Sequence, residues 1–233
     1  MTDEFSKKQV PINQEVAQFS DYFAEFSKAY YHTPVIGEEP PWKNLHWMGI
    51  PALKCPLDLW IYQEIICDRK PDFIVECGVA FGGTTAFLAD ICKLVGCGQI
   101  IGIDINLLDS TRTILSKYEN IQLIEGNSVA PEIVEKVFKI VNNCNNILVI
   151  LDSDHSKAHV LKELNEYSSL VPSQGYVIVE DTNINGNPVY PDFGEGPMEV
   201  VEEFLKINND FYVDKNCHKF LSTFNPNGYL KRR

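Results

Sequence analysis

"IVECGVAFGGTTAFLADIC", residues 74–92, runs from β-forming residues that end in an acid, Glu76, through glycines at 78, 82 and 83, into an apolar-periodic helix. The order is strand, tight loop and helix N-terminus, where free backbone N–H groups favour an anionic or polar ligand.

Outward from this stretch the pattern repeats. Apolar runs lie at 73–76, 99–103, 121–124, 147–151 and 176–180, with helical segments over 84–95, 111–118, 131–143, 156–169 and 196–206 and a helix from Leu57 through Ile66. Strands alternating with helices predict an α/β fold, Rossmann-like and doubly wound around a mostly parallel sheet. The segment "DFYVDKNCHKFLSTFN", residues 210–225, carries two β-rich runs around a short polar turn and predicts a closing C-terminal antiparallel hairpin, which brings the sheet to seven strands.

Ahead of this domain, Val16, Phe19, Phe23, Phe26 and Tyr30 fall at helical spacing, so residues 16–31 read as an amphipathic helix whose aromatic stripe serves the core or a subunit contact. The proline- and aromatic-rich stretch from Thr33 to Lys54 reads as irregular chain of the kind that forms lids and binding surfaces. The expected division is a helical and lid extension over 1–56 and a ligand-binding domain over 57–233.

Composition narrows the function. With 233 residues and 45% apolar content the chain can bury one α/β core. A formal net charge of −12 weighs against nucleic-acid binding, and the basic Lys231-Arg232-Arg233 reads as a solvated end. Seven cysteines without a CxxC pair point to buried thiols and not to zinc or disulfides. The absence of an N-terminal apolar signal core or a bilayer-length apolar run leads to the expectation of a cytoplasmic protein with no membrane partner.

Ligands of open α/β sheets sit outside the carboxyl ends of the strands. The residues there are Glu76, Asp104, Gly126-Asn127-Ser128, Asp152 to His155, and Glu180-Asp181. Asp104, ending the second strand, is placed to accept hydrogen bonds from ribose hydroxyls. The loop reads Glu-x-Gly-x-x-x-Gly-Gly and not GxGxxG, which suits a nucleoside with a zwitterionic tail better than a pyrophosphate.

"ECGVAFGG", "GIDIN" and "EGNS" resemble the S-adenosylmethionine site of class I methyltransferases. "WMGIPALKCPLDLWIYQEII", "LDSDHSKAHVLKEL", "VIVEDTNINGNPV" and "TFNPNGYLKR" resemble the family of cephalosporin hydroxylases and rhamnosyl O-methyltransferases, from about Trp47 to the C-terminus. The resemblance implies S-adenosylmethionine as cofactor, with Glu76, Gly78, Ala80, Gly82 and Thr84 around its methionine part, Asp104 at the ribose, Asn127 and Ser128 near adenine, and Asp152 beside them. It also implies a homo-oligomer. A hydroxylase activity is not carried over, since no His-x-Asp pair with a distant histidine supports non-haem iron.

Asp152, on one strand end, lies next to Glu180 and Asp181 on another, an all-oxygen set of the kind Mg²⁺ prefers. The resemblance gives the Asp-x-x-His stretch the base, so His155 takes the acceptor's proton beside Asp152. Asp154 reads as the N-cap of the next helix and His159 as helix surface. Tyr190 and Phe193 are expected on a substrate wall, with His46 and Trp47 approaching from the other side.

The leading expectation is a Mg²⁺-assisted O-methyltransferase acting on a hydroxyl of a small molecule or sugar, in specialised or cell-envelope metabolism. A nicotinamide-dependent oxidoreductase would need GxGxxG and a Tyr-x-x-x-Lys pair. A non-catalytic nucleoside-binding partner protein would not need charges gathered at one cleft.

Overall fold

The apolar runs pair side by side. In the computed structural model, which describes residues 20–35 and 37–233 and side chains from Phe23 onward, five strands are parallel: β3 (Phe73–Cys77), β4 (Gln99–Asp104), β5 (Ile121–Glu125), β6 (Ile147–Leu151) and β7 (Tyr176–Val179). Two antiparallel strands, β8 (Phe211–Val213) and β9 (Tyr229–Arg232), complete a seven-stranded sheet in the order β5-β4-β3-β6-β7-β9-β8. Its reversal point lies between β3 and β6, at whose carboxyl ends an α/β sheet opens a crevice.

Period-2 side-chain alternation sends the strands' residues to two cores. Val75, Ile101, Val149 and Val177 pack under α5 (Pro131–Ile140), α6 (Lys157–Tyr167) and α7 (Pro197–Ile207). Ile74, Ile100, Ile150 and Ile178 pack under α2 (Pro56–Arg69) and α3 (Gly83–Val95). Helices thus cover both faces, as the alternating pattern predicts, and α4 (Asp109–Leu115) joins β4 to β5.

The closing antiparallel pair is present, but its second strand is not within 219–225. Lys215–His218 forms a 3₁₀ turn, Leu221 takes a left-handed φ of 67°, and the Phe224 N–H is donated to the buried Asp58 carboxylate at 2.8 Å instead of to a ladder. The strand is Tyr229–Arg232, so the basic end is no free tail: Lys231 lies over the Tyr176 ring and Arg232 donates to the Val171 carbonyl at 2.7 Å.

The N-terminal helix is seen as α1, Ser20–His32, while Val16 and Phe19 of the expected stripe lie outside the described residues. Of the rest, Phe23 and Tyr30 are half-buried and Phe26 is exposed. Tyr31, off that stripe, is the buried ring, because Trp42 stacks on it at 5.1 Å and Phe224 closes over it. Next comes a small ribbon of β1 (His46–Trp47) and β2 (Ile50–Pro51). It is fastened to α3 by Trp47 Nε1, which donates to Asp90 at 2.8 Å, and by its ring edge on Phe87. His46 is exposed and bonds Asn44, so the ribbon reaches the site through Pro51 and the chain that follows it, and not through His46 or Trp47.

Candidate active site

Two cavities open at the carboxyl ends of the parallel strands, and Gly78 lines both. The glycine sits at φ 99°, and a Cβ there would lie 1.9 Å from the Asp152 carbonyl oxygen, so any side chain would push β3 and β6 apart. Gly83 serves a second close approach: a Cβ would lie 2.3 Å from the Pro51 carbonyl, where the ribbon crosses the start of α3.

The smaller cavity, about 170 Å³, is lined by Asp104, Ile105, Asn127, Ser128 and His159 among others. Asp104 Oδ2 accepts from the N–H groups of Val79 and Ala80, both at 2.9 Å, and Oδ1 accepts from Asn106 N at 2.9 Å. The carboxylate therefore shapes the glycine loop as well as facing the cavity. Ser128 is buried with its hydroxyl turned inward to Glu163, and the Asn127 side chain accepts from Val129 N at 3.1 Å. His159 is not plain helix surface: its Nε2 lies 3.0 Å from Ser128 Oγ and 3.3 Å from the fully buried Glu163. Asp154 caps only locally, accepting from Ser156 N at 2.7 Å, and α6 starts after Ser156.

Glu76 lines neither cavity. It is fully buried beneath the loop, accepts the Thr85 hydroxyl at 2.5 Å, and burial pushes its carboxyl up to about 8. Gly82 also stays back, against Leu115, whereas Ala80 and Thr84 face the larger cavity.

That cavity, about 310 Å³, is lined by Asp152, His155 and Asp181 and by the rings of Tyr31, Trp42, Tyr190 and Phe193. Tyr190 and Phe193, expected on a substrate wall, both line this cavity, and Tyr190 meets Tyr31 edge-on at 5.1 Å. Ligand atoms of Asp152, His155 and Asp181 all lie within 4.8 Å of one another, the one metal-capable group among the described residues. His155 Nε2 is 3.0 Å from Asp181 Oδ2. Burial would lower the imidazole's pKa, but the Asp181 carboxylate outweighs it and lifts it to about 9. Asp181 also takes a left-handed φ of 53°, its N–H held by Asn225 Oδ1 at 3.0 Å.

Glu180, also expected as a metal ligand, lies beside this group. Its Oε2 accepts from Lys54, whose ammonium also donates to Asp152 Oδ2. Lys54 is 3% exposed, delivered by the chain after the ribbon. Burial opposes its charge, but Asp152, Glu180 and Asp181 together hold its pKa above the usual lysine range. Sequence reading missed Lys54 because it belongs to a stretch without periodicity, so the expected extension over 1–56 supplies part of the site. Asp152 is pulled two ways: burial raises its pKa and Lys54 lowers it, with a net rise.

Residues 40–233 match the family model described as Rhamnosyl O-methyltransferase/CmcI. The chain is 36% identical over 213 residues to the rhamnosyl O-methyltransferase of Mycobacterium leprae (strain TN), covering 90% of each chain. It is 34% identical over 212 residues to that of Mycobacterium tuberculosis (strain ATCC 25618 / H37Rv), covering 89% of this chain and 84% of the relative. Among solved structures, "CmcI-N160 apo-structure" aligns with a TM-score of 0.64 at 22% identity, covering 97% of this chain and 87% of that one. The structure "cmcI-D160 Mg-SAM" aligns with a TM-score of 0.63 at 23% identity, covering 95% and 100%. At these identities the structures bear on the fold alone.

Proposed function

The chain belongs to the rhamnosyl O-methyltransferase/CmcI family, and from that premise we propose that it transfers the methyl group of S-adenosylmethionine to a hydroxyl of a sugar or other small molecule. The observation that carries this reading is the meeting of the two cavities at Gly78, one shaped by the nucleoside-type acid Asp104 and the other ending in Asp152, His155 and Asp181. Donor and acceptor held on either side of one glycine are positioned for a direct in-line transfer, and such positioning accounts for much of a bimolecular rate enhancement.

Asp104, Asn127 and Ser128 would hold the nucleoside end, with Gly78, Ala80 and Thr84 along the passage to the acceptor. The carboxylates of Asp152 and Asp181 fit a Mg²⁺ ion, being oxygen donors that converge on the larger cavity. Such an ion lowers the pKa of a hydroxyl that it binds. His155 is left to take the acceptor's proton. Its Nε2, 3.0 Å from Asp181 Oδ2, would be free to accept that proton were the charges of Asp181 and Asp152 engaged by an ion. The aromatic wall of Tyr31, Trp42 and Tyr190 supplies an apolar surface for a sugar or ring, and among the described residues lining this cavity none is a lysine or arginine that would favour an anionic acceptor.

The same reading takes the enzyme as a cytoplasmic homo-oligomer working on a specialised metabolite or glycan. Among the described residues no helix is long and apolar enough to cross a membrane. The test is calorimetric titration with S-adenosylhomocysteine, followed by S-adenosylhomocysteine release from S-adenosylmethionine over a panel of rhamnosides and hydroxylated aromatics. Micromolar binding and turnover on a neutral hydroxyl acceptor support the reading, and absence of nucleoside binding overturns it.

A further inference from the structure

Tyr31 is 5% exposed, yet its hydroxyl has no hydrogen-bond partner among the described residues. The place of the ring is set by its packing: Trp42 stacks on it at 5.1 Å, Tyr190 and His32 meet it edge-on at 5.1 and 5.6 Å, and Phe224 lies tilted against it at 5.1 Å. Its backbone is tied as well, since the Tyr31 carbonyl accepts from Trp42 Nε1 at 3.0 Å. A buried tyrosine ordinarily finds a partner for its hydroxyl. Tyr31 lines the larger cavity and its oxygen is not sealed within the chain, so the partner comes from what enters that cavity. Burial, ahead of the Asp181 charge, holds the phenol's pKa above the usual tyrosine range, which leaves the O–H a donor at neutral pH.

We propose that the Tyr31 hydroxyl is a specificity-determining donor of the acceptor site, one that hydrogen-bonds a neutral oxygen carried by the acceptor in addition to the hydroxyl that is methylated. The substrate class is then a polyoxygenated molecule such as a glycoside, and not a lone alcohol or phenol. This rests on the methyltransferase reading above. Among the described residues no lysine or arginine lines the cavity and His155 is paired with Asp181, so an anionic group finds no free counter-charge there and the second oxygen is a neutral one. A donor already fixed by packing loses little freedom when the acceptor binds. An acceptor without the second oxygen leaves that donor unpartnered in the complex, and a site built to hydrogen-bond a substrate group rejects analogues that lack it.

The experiment measures initial rates with S-adenosylmethionine for the full-length wild type and for Tyr31→Phe, which keeps the ring and its packing. The acceptors are methyl α-L-rhamnopyranoside, each of its monodeoxy analogues and cyclohexanol, with S-adenosylhomocysteine affinity followed by calorimetry. Among the analogues that still react, wild type is expected to lose about tenfold or more in kcat/KM on one, the analogue that lacks the contacted oxygen. Tyr31→Phe is expected to lose a similar factor on the parent glycoside and nothing further on that analogue, so the two changes are not additive. Its S-adenosylhomocysteine affinity is expected to be unchanged.

Equal losses in Tyr31→Phe on the parent and on every reacting analogue overturn the inference, as does a variant as active as wild type on the parent. Turnover of cyclohexanol by wild type at the rate of the glycoside also overturns it, and this arm needs no variant. A wild type that binds S-adenosylhomocysteine but methylates none of the glycosides overturns the inference and leaves the methyltransferase reading standing. A wild type that does not bind the nucleoside overturns both.

Discussion

The side-chain carbonyl of Asn225 accepts a hydrogen bond from the backbone N–H of Asp181 at 3.0 Å, joining the last loop of the chain to the end of β7. Asn225 is fully buried, and its amide also donates to the Tyr62 hydroxyl at 3.1 Å, so the bridge is anchored in α2. Because Asp181 is a non-glycine residue at φ 53°, its backbone rests in a conformation that surrounding structure must hold. Asn225→Ala leaves a buried N–H without an acceptor, a loss on the order of 1–3 kcal/mol. The expected outcome is a lower melting temperature together with weaker Mn²⁺ binding, measured by thermal melts and titration, and with S-adenosylhomocysteine affinity little changed. Weakened S-adenosylhomocysteine binding of equal size would show a general collapse and not a positioning role.

Gly78 carries two constraints at once, the left-handed φ and the 1.9 Å approach of a Cβ to the Asp152 carbonyl. Gly78→Ala is expected to destabilise the protein by on the order of 3 kcal/mol or more. S-adenosylhomocysteine binding should be lost as well, since the residue lines both cavities. Gly96→Ala is the control: it shares a positive φ, 75°, but nothing lies within 4 Å of its Cβ, so its cost should be that of backbone strain alone, about 1 kcal/mol. Equal melting temperatures for the two variants would remove the close-approach argument.

What the sequence made legible was whatever repeats locally. β6 was readable to the residue from "ILVIL" because a strand covered on both faces is an uninterrupted apolar run. Asp104, Asp152, His155 and Asp181 were readable because chemistry in an open α/β sheet collects at strand ends. Lys54 was not, since its partners lie 98 and 126 residues away and a lysine in aperiodic chain gives no sign of burial. Nor was β9, where the short cationic "YLKR" competes with the more β-like "KFLSTF" and wins through tertiary pairing with β7 and β8. His159 was misplaced for a similar reason, because its partner Ser128 comes from a loop 31 residues earlier.

Glu76 gives a pH signature of stability. Its folded pKa of about 8 lies above the ordinary 4.5 because burial disfavours the charged carboxylate, so the native state binds the proton more strongly than the unfolded chain. Stability from this group is fully present below about pH 4.5 and is lost as pH rises toward 8. Glu76→Gln keeps a neutral side chain at all pH values. Relative to wild type, the variant is expected to be similar near pH 5 and more stable near pH 8, by up to about 4 kcal/mol. Urea unfolding of the ligand-free proteins at both pH values checks this, and a stability difference that does not grow with pH would contradict it.

Asp104 and His155 line different cavities that share Gly78, and their substitutions should separate binding from turnover. Asp104 lines the smaller cavity and also accepts from the N–H groups of Val79 and Ala80, so Asp104→Ala removes both the proposed ribose acceptor and the clamp on the glycine loop. Its S-adenosylhomocysteine affinity is expected to fall by about 100-fold, the loss of two to three charge-assisted hydrogen bonds at partial compensation by water. His155 lines the larger cavity, where the acceptor is proposed to bind, and not the smaller one, and its pairing is with Asp181. His155→Asn should leave S-adenosylhomocysteine affinity within about threefold while kcat falls by about 10²–10⁴, the range of a lost general base. Calorimetry on both variants and initial rates on any accepted hydroxyl substrate provide the comparison. If His155→Asn lost nucleoside binding in parallel with Asp104→Ala, the two cavities would be one site for the cofactor, and the acceptor would have to bind elsewhere.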